Sequence, residues 1–159
     1  MWTESLKFKI QLYAQYWDKP PIADICVGEQ SKFKQEITGT QENPTLIEFF
    51  HDLNEGQEYK FIIHRSNKDD SQTVLENNQI VKDQLLFIKS IEIDEIDLGG
   101  LIYEGLHYPE YPEPWASQQK KEGKLLPVTV KNVTSMGHNG RWELTFTSPF
   151  YMWLLENLY

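Results

Sequence analysis

Four carboxylates fall within six residues, at Glu92, Asp94, Glu95 and Asp97, and the flexible pair Gly99-Gly100 follows them. Hard oxygen donors at this density suit calcium, which takes about six to eight oxygen ligands. Glu92 and Asp94 have the parity of one strand face, and a turn after them would let Asp97 converge, so Glu92, Asp94 and Asp97 are the candidate metal ligands. The same residues also fit the solvated side of a half-buried strand, and the chain has no twelve-residue calcium loop. As an acid and base pair for glycoside cleavage they would need a defined separation across a cleft, for which the sequence offers no sign.

A second set of chemically useful residues lies in His107-Tyr-Pro-Glu-Tyr-Pro-Glu-Pro-Trp115, where Tyr108, Tyr111 and Trp115 stand among three prolines. Exposed, these rings would stack on sugar C–H faces or be covered by a partner protein, with the prolines lowering the entropy lost on binding. Folded inward, the same segment would be a clasp whose rings fill the core. Trp153, in the apolar C-terminal stretch, is a fourth candidate for ligand or partner contact. The histidines His51, His64, His107 and His138 show no metal-ligand spacing with one another or with Cys26. No Gly-x-Ser-x-Gly elbow, phosphate loop or dinucleotide fingerprint is present. No catalytic residue is assigned, and the chain reads as non-enzymatic.

Strands must position these groups. Leu6-Lys-Phe-Lys-Ile-Gln-Leu12 alternates apolar and polar, which places Lys7, Lys9 and Gln11 in water. Pro20-Pro21 breaks the pattern, and Ile22 to Val27 is a second strand closed by Gly28. Residues 29–44 read as a loop or weak edge strand, Thr45 to Phe50 and Gln57 to Ile63 as a hairpin about the turn at Asp52 to Gly56, and Val74 to Asp83 as an edge strand with a turn. Leu85 to Leu98 is the central strand. Leu85, Phe87, Ile91 and Ile93 share a parity that Ile96 and Leu98 leave, which requires a bulge or tight turn near Asp94. Leu101 and Ile102 close that region, and residues 103–123 form a Pro- and aromatic-rich loop, extended first and then polar and mobile. Asn139-Gly140 between Leu125–Val133 and Arg141–Thr147 predicts a hairpin, with Trp142, Leu144 and Phe146 on one face. After Ser148-Pro149, the spacing of Phe150, Trp153, Leu154 and Leu158 predicts an amphipathic helix to the end of the chain at Tyr159. The expected fold is all-β: one domain over residues 1–159, an antiparallel jelly-roll-like β-sandwich with a short C-terminal helix.

Composition narrows the partners. A 159-residue chain is long enough to bury a core, and its single cysteine, Cys26, can make no internal disulfide and reads as a small buried thiol. A formal charge of −9 and only two arginines, Arg65 and Arg141, argue against nucleic acid. The N-terminus runs directly into a charged alternating segment without a signal core, and no apolar run is long enough for membrane insertion.

The Leu53-Asn-x-Gly56 turn before an alternating strand, Asn67-Lys68, and Ile91-x-Ile-Asp-x-Ile-Asp-Leu98 resemble small β-sandwich virion proteins of tailed phages. That sandwich is similar to calcium-dependent xylan-binding carbohydrate-binding modules. The resemblance covers most of residues 5–147. It implies a structural or adhesion component of a phage particle, made in the host cytoplasm, working through contacts with other virion proteins or as a homo-oligomer, and touching surface glycan in some cases. The second reading is a carbohydrate-binding module for a polysaccharide. The cofactor expectation is none or calcium.

Overall fold

In the computed structural model, which describes residues 2–158, the first strand sets the frame. β1 (Thr3–Gln15) buries Leu6, Phe8, Ile10, Leu12 and Ala14 and leaves Lys7, Lys9, Gln11 and Tyr13 on its outer face, as the alternation predicts. On one side it pairs with β4 (Thr45–Asn54) and on the other with β8 (Leu85–Ile93), both antiparallel. β9 (Ile96–Asp97) and β12 (Ser135–Met136) add to β8 and complete the first sheet. The second sheet takes the order β11 (Val130–Lys131), β10 (Leu106–Pro109), β13 (Gly140–Thr147), β5 (Glu58–Ser66), β2 (Ile22–Val27) and β3 (Gln30–Glu36). β6 (Val74–Glu76) and β7 (Gln79–Lys82) form a hairpin separate from both sheets.

The inner faces of the two sheets enclose one cluster of buried apolar side chains. Phe8 of the first sheet stacks on Phe61 of the second at 6.0 Å, and Phe61 meets Trp142 edge-on at 6.3 Å. Trp142, Leu144 and Phe146 all point inward, and Cys26 is buried as a free thiol. Gly105 is part of this packing, because a Cβ there would stand 2.1 Å from the Trp142 ring. The expected antiparallel sandwich is therefore present, with α2 (Phe150–Leu158) at its C-terminal end. Tyr159 lies outside the described residues. α2 buries Phe150, Trp153 and Leu154, and Glu4 of β1 accepts from the Phe150 amide at 2.8 Å and from the Ser148 hydroxyl at 3.0 Å. No helix among the described residues is long and apolar enough to cross a membrane.

Several local expectations are corrected. The strands flanking Asp52 to Gly56 are not a hairpin: β4 belongs to the first sheet and β5 to the second, so the turn crosses between layers. The hairpin expected about Asn139-Gly140 is not formed either: within Leu125–Val133 only Val130–Lys131 is strand, and it pairs with β10 rather than β13. β12, the strand next before the turn, lies in the other sheet, and the Asn139 side chain holds neighbouring segments. In β8 the parity change comes earlier than expected, at Lys89-Ser90, where the register against β1 slips by one residue and turns Leu86 and Ile88 inward alongside Ile91 and Ile93. A tight turn is nonetheless made by Asp94-Glu95, both at positive φ (51° and 66°), which folds β9 back on β8. Leu101 and Ile102 are buried in a 3₁₀ segment, Gly99–Glu104, rather than in a strand. The polar stretch expected to be mobile is α1 (Trp115–Lys121), anchored by buried Ala116 and led by Glu113, whose carboxylate accepts from the Ser117 hydroxyl at 2.6 Å.

Candidate functional site

A cleft of about 640 Å³ opens at one end of the sandwich. That volume lies within the range of small-molecule sites, about 300–1,000 Å³. Four segments converge on it: residues 68–73 after β5, the β6–β7 hairpin, residues 110–115 between β10 and α1, and residues 137–139 between β12 and β13.

One wall is aromatic. Tyr111 and Trp115 lie 6.0 Å apart between ring centroids, and His138 meets Tyr111 edge-on at 5.0 Å and Trp115 at 5.8 Å. Local sequence explains the placement of the first two rings. Pro112 breaks the strand after β10, its carbonyl accepts from the Ala116 amide at 2.8 Å, and the helix that starts at Trp115 holds that indole at the rim, where it is 39% exposed. Tyr111 is fixed by donating its hydroxyl to the Pro127 carbonyl, and burial raises its pKa. The facing wall is aliphatic. Leu75 and Ile80 flank the turn residues Asn77 and Asn78, both at positive φ, and are left exposed by a hairpin that belongs to neither sheet.

The floor is a polar network. Lys68 bridges Asp83 at 2.7 Å and also donates to the Gly137 carbonyl. Burial pushes the Asp83 carboxyl up, but hydrogen bonds from Lys68, the Thr73 hydroxyl and the Gln84 amide outweigh it, and its net pKa is lowered. Asn139 accepts from Arg65 at 2.9 Å and from the Lys68 amide at 3.1 Å, and returns a hydrogen bond to the Lys68 carbonyl at 2.8 Å. Arg65 is buried behind it and donates to the Gln84 carbonyl at 2.6 Å; burial lowers its pKa to about 10, so it stays charged at neutral pH. Asp69 at the rim is paired with Lys19 at 2.7 Å, and hydrogen bonds from Lys19 and Ser71 lower its pKa to about 2.

Burial lowers the pKa of His138, and the nearby cations Lys68 and Arg65 lower it further. His107, buried with Nδ1 3.1 Å from the Arg141 carbonyl, is lowered for the same first reason. Both folded pKa values lie below the ordinary 6.5, so the unfolded chain takes up protons first as pH falls. Stability is expected to be full above about pH 6.5 and to decline progressively below it. Urea unfolding across that window checks this; a flat profile would show that neither ring resists protonation.

Of the four residues expected to meet a ligand or partner, the structure brings together two. Tyr111 and Trp115 share the cleft. Tyr108 lies outside it, in β10, with the Arg141 guanidinium 4.2 Å above its ring. Trp153 is 9% exposed and packs against Phe146 and Phe150 at 6.1 and 6.0 Å, so it fills the core and presents no free face.

Of the three candidate metal ligands, Glu92 and Asp97 stand opposite each other across the β8–β9 pair, and Asp94 is held apart at the turn. Asp94 accepts from the Lys7 amide at 2.9 Å and from the Tyr151 hydroxyl at 2.9 Å, which ties the β8–β9 turn to β1 and α2. Asp97 accepts from the Gly99 amide at 2.8 Å, and Glu92 faces Lys9 at 4.0 Å. Among the described residues, no three His, Cys, Asp or Glu side chains are grouped to hold a metal ion. The acidic cluster is a clasped turn beside a charged strand face, and as a donor set it does not fit calcium.

Sequence reading missed Lys68, His138 and Asn139, which lie in turns and loops, and Asp83, which it placed at the end of an edge strand. Leu75 and Ile80 carried part of a signal: apolar residues astride Asn77-Asn78 mark a turn between short strands, but that this hairpin joins neither sheet is decided by the fold.

No family model matches the sequence, and no curated protein does. Among solved structures, the chain is similar to the calcium-dependent carbohydrate-binding module vCBM60, at a TM-score of 0.50 and 6% identity over 87% of this chain and 88% of that one. A second structure of vCBM60, in complex with galactobiose, aligns at a TM-score of 0.49 and 6% identity over 86% and 95%. At this identity the likeness shows a common β-sandwich fold.

Proposed function

We propose that the chain is a non-catalytic glycan-binding module whose sugar site is the cleft between Tyr111, Trp115 and His138 on one side and Leu75 and Ile80 on the other. The observation that carries this reading is the half-exposed Trp115 ring beside Tyr111 and His138, above a floor of hydrogen-bonding groups. Sugars offer one apolar C–H face and a rim of hydroxyls, which match an aromatic wall and a polar floor. The fold likeness to a module that binds carbohydrate supports the same reading at the level of architecture. An array of immobilised glycans, probed with the wild type and with Trp115→Ala, tests it directly; a wild type that retains no glycan overturns it.

Calcium has no place in this binding at the acidic turn. A chelator is expected to leave the melting temperature and the glycan affinity unchanged, because Asp94, Asp97 and Glu92 are separately engaged within the protein. A fall of several degrees on chelation, reversed by calcium, would overturn that expectation.

A second reading, contact with other protein chains, rests on α2. Its outer face exposes Tyr151, Met152, Leu155 and Leu158 while its inner face is buried, which is more apolar surface than an amphipathic helix ordinarily leaves in water. Neither the fold nor the comparisons support the phage-particle role that the short sequence phrases implied. Light scattering of the purified chain checks the α2 contact: this reading predicts an oligomer that Leu155→Ser dissociates, whereas a monomer at every concentration leaves α2 without a self-contact.

A further inference from the structure

We infer that the cleft selects glycans by charge and takes a basic, amino-sugar polymer; this deepens the glycan reading above and rests on it. Four carboxylates line the cleft, Asp69, Asp70, Asp83 and Glu110, against one lysine, Lys68. Lys68 and Asp83 neutralise each other at 2.7 Å, and the Lys68 ammonium is held further by the Gly137 carbonyl, so it is not free to meet a ligand. Lys19 occupies Asp69 at 2.7 Å. Asp70 and Glu110 make no ion pair among the described residues, and both side chains are exposed.

The consequence is a ring-lined cleft with two uncompensated negative charges and no available cation. A uronic acid polymer meets repulsion there without a partner for its carboxylates. A neutral sugar meets the rings and the polar floor and gains nothing from the two free charges. An ammonium-bearing sugar gains twice, because carboxylates attract it through Coulomb forces and aromatic faces attract it through their negative quadrupole. The formal charge of −9 on the whole chain adds long-range attraction for a polycation at low salt.

The test uses the full chain and three oligosaccharides of equal length: β-1,4-linked glucosamine, β-1,4-linked glucose, in which a hydroxyl replaces the amine, and oligogalacturonate. Each is titrated calorimetrically at low and high salt against the wild type, Trp115→Ala and the double variant Asp70→Asn/Glu110→Gln. The glucosamine oligomer is expected to bind about fivefold to tenfold more tightly than the glucose oligomer at low salt. The advantage should shrink at high salt and disappear in the double variant, whose urea-unfolding midpoint matches that of the wild type and reports an intact fold. Oligogalacturonate should bind most weakly. Equal affinity for the amine and the hydroxyl, or an advantage that survives in the double variant, overturns charge selection while leaving glycan binding in place. Failure of all three sugars to bind, or indifference to Trp115→Ala, overturns the glycan reading itself and the inference with it. A lysine oligopeptide that displaces the glucosamine oligomer at lower concentration would reassign the cleft to basic peptide and overturn the amino-sugar proposal.

Discussion

Trp115→Ala is expected to weaken glycan binding roughly thirtyfold or more, about 2 kcal/mol, while changing the stability of the protein by less than about 1 kcal/mol. The asymmetry follows from where the indole sits. It is 39% exposed at the start of α1, and what anchors that helix is the buried methyl of Ala116 together with the Glu113 carboxylate that caps its first turn. Removing the ring takes away the free face of the aromatic wall but leaves these anchors. Tyr111 cannot substitute for it, because its hydroxyl is engaged by the Pro127 carbonyl and its ring is already edged by His138. Trp115→Phe should recover part of the affinity, since a smaller ring still offers a flat face. Isothermal titration beside urea unfolding separates the two effects. Retained affinity with a stability loss of about 3 kcal/mol or more would make Trp115 a packing residue and remove the platform.

For Asn139→Ala the expected result is the reverse, a loss of about 3 kcal/mol or more in stability with the sugar site lost alongside it. One amide side chain satisfies three groups here: the Arg65 guanidinium and both backbone groups of Lys68. A buried donor left without its partner costs about 1–3 kcal/mol, and more when it is charged. Arg65, 1% exposed, is the charged member, with the Gln84 carbonyl as its other partner. Loss of the amide also frees the 137–139 segment, which carries His138 to the rings and the Gly137 carbonyl to Lys68. Asn139→Asp should cost less, because a carboxylate still accepts from Arg65 and from the Lys68 amide, although the bond to the Lys68 carbonyl becomes a contact between two acceptors. Chemical denaturation of the three proteins checks the order. An alanine variant within about 1 kcal/mol of the wild type would show that the loops at this end hold themselves in place.

The two predictions bear on different layers of the molecule, and so did the success of sequence reading. The strands β1, β2, β5 and β13 are visible in the chain because each buries one face, and a half-buried strand must alternate. The C-terminal helix is visible because Phe150, Trp153 and Leu154 recur at helical spacing, and the candidate rings Tyr111 and Trp115 are visible because prolines and aromatics crowd the one stretch from His107 to Trp115. All of these are local consequences of side-chain type and period.

Pairing and convergence are not local. Nothing in the turns at Asp52 to Gly56 or Asn139-Gly140 distinguishes a hairpin from a crossing between sheets, because the local chain is the same and only the partner strands differ. The cleft depends on this choice. Segments 68–73 and 137–139 meet because β12 enters the first sheet while β5 and β13 pair in the second, which brings Asn139 to Arg65 and Lys68 across more than seventy residues of chain. In the acidic turn, the hydroxyl of Tyr151 and the amide of Lys7 settle the role of Asp94, and both come from elsewhere in the fold. Alternation and composition were enough to specify a β-sandwich with a helix at its end and a Pro- and aromatic-rich segment, but not whether the rings of that segment face solvent or the core. Which carboxylates are clasped, which ring is core and which four loops form a site were decided by long-range pairing, since each depends on contacts between residues that the chain holds far apart.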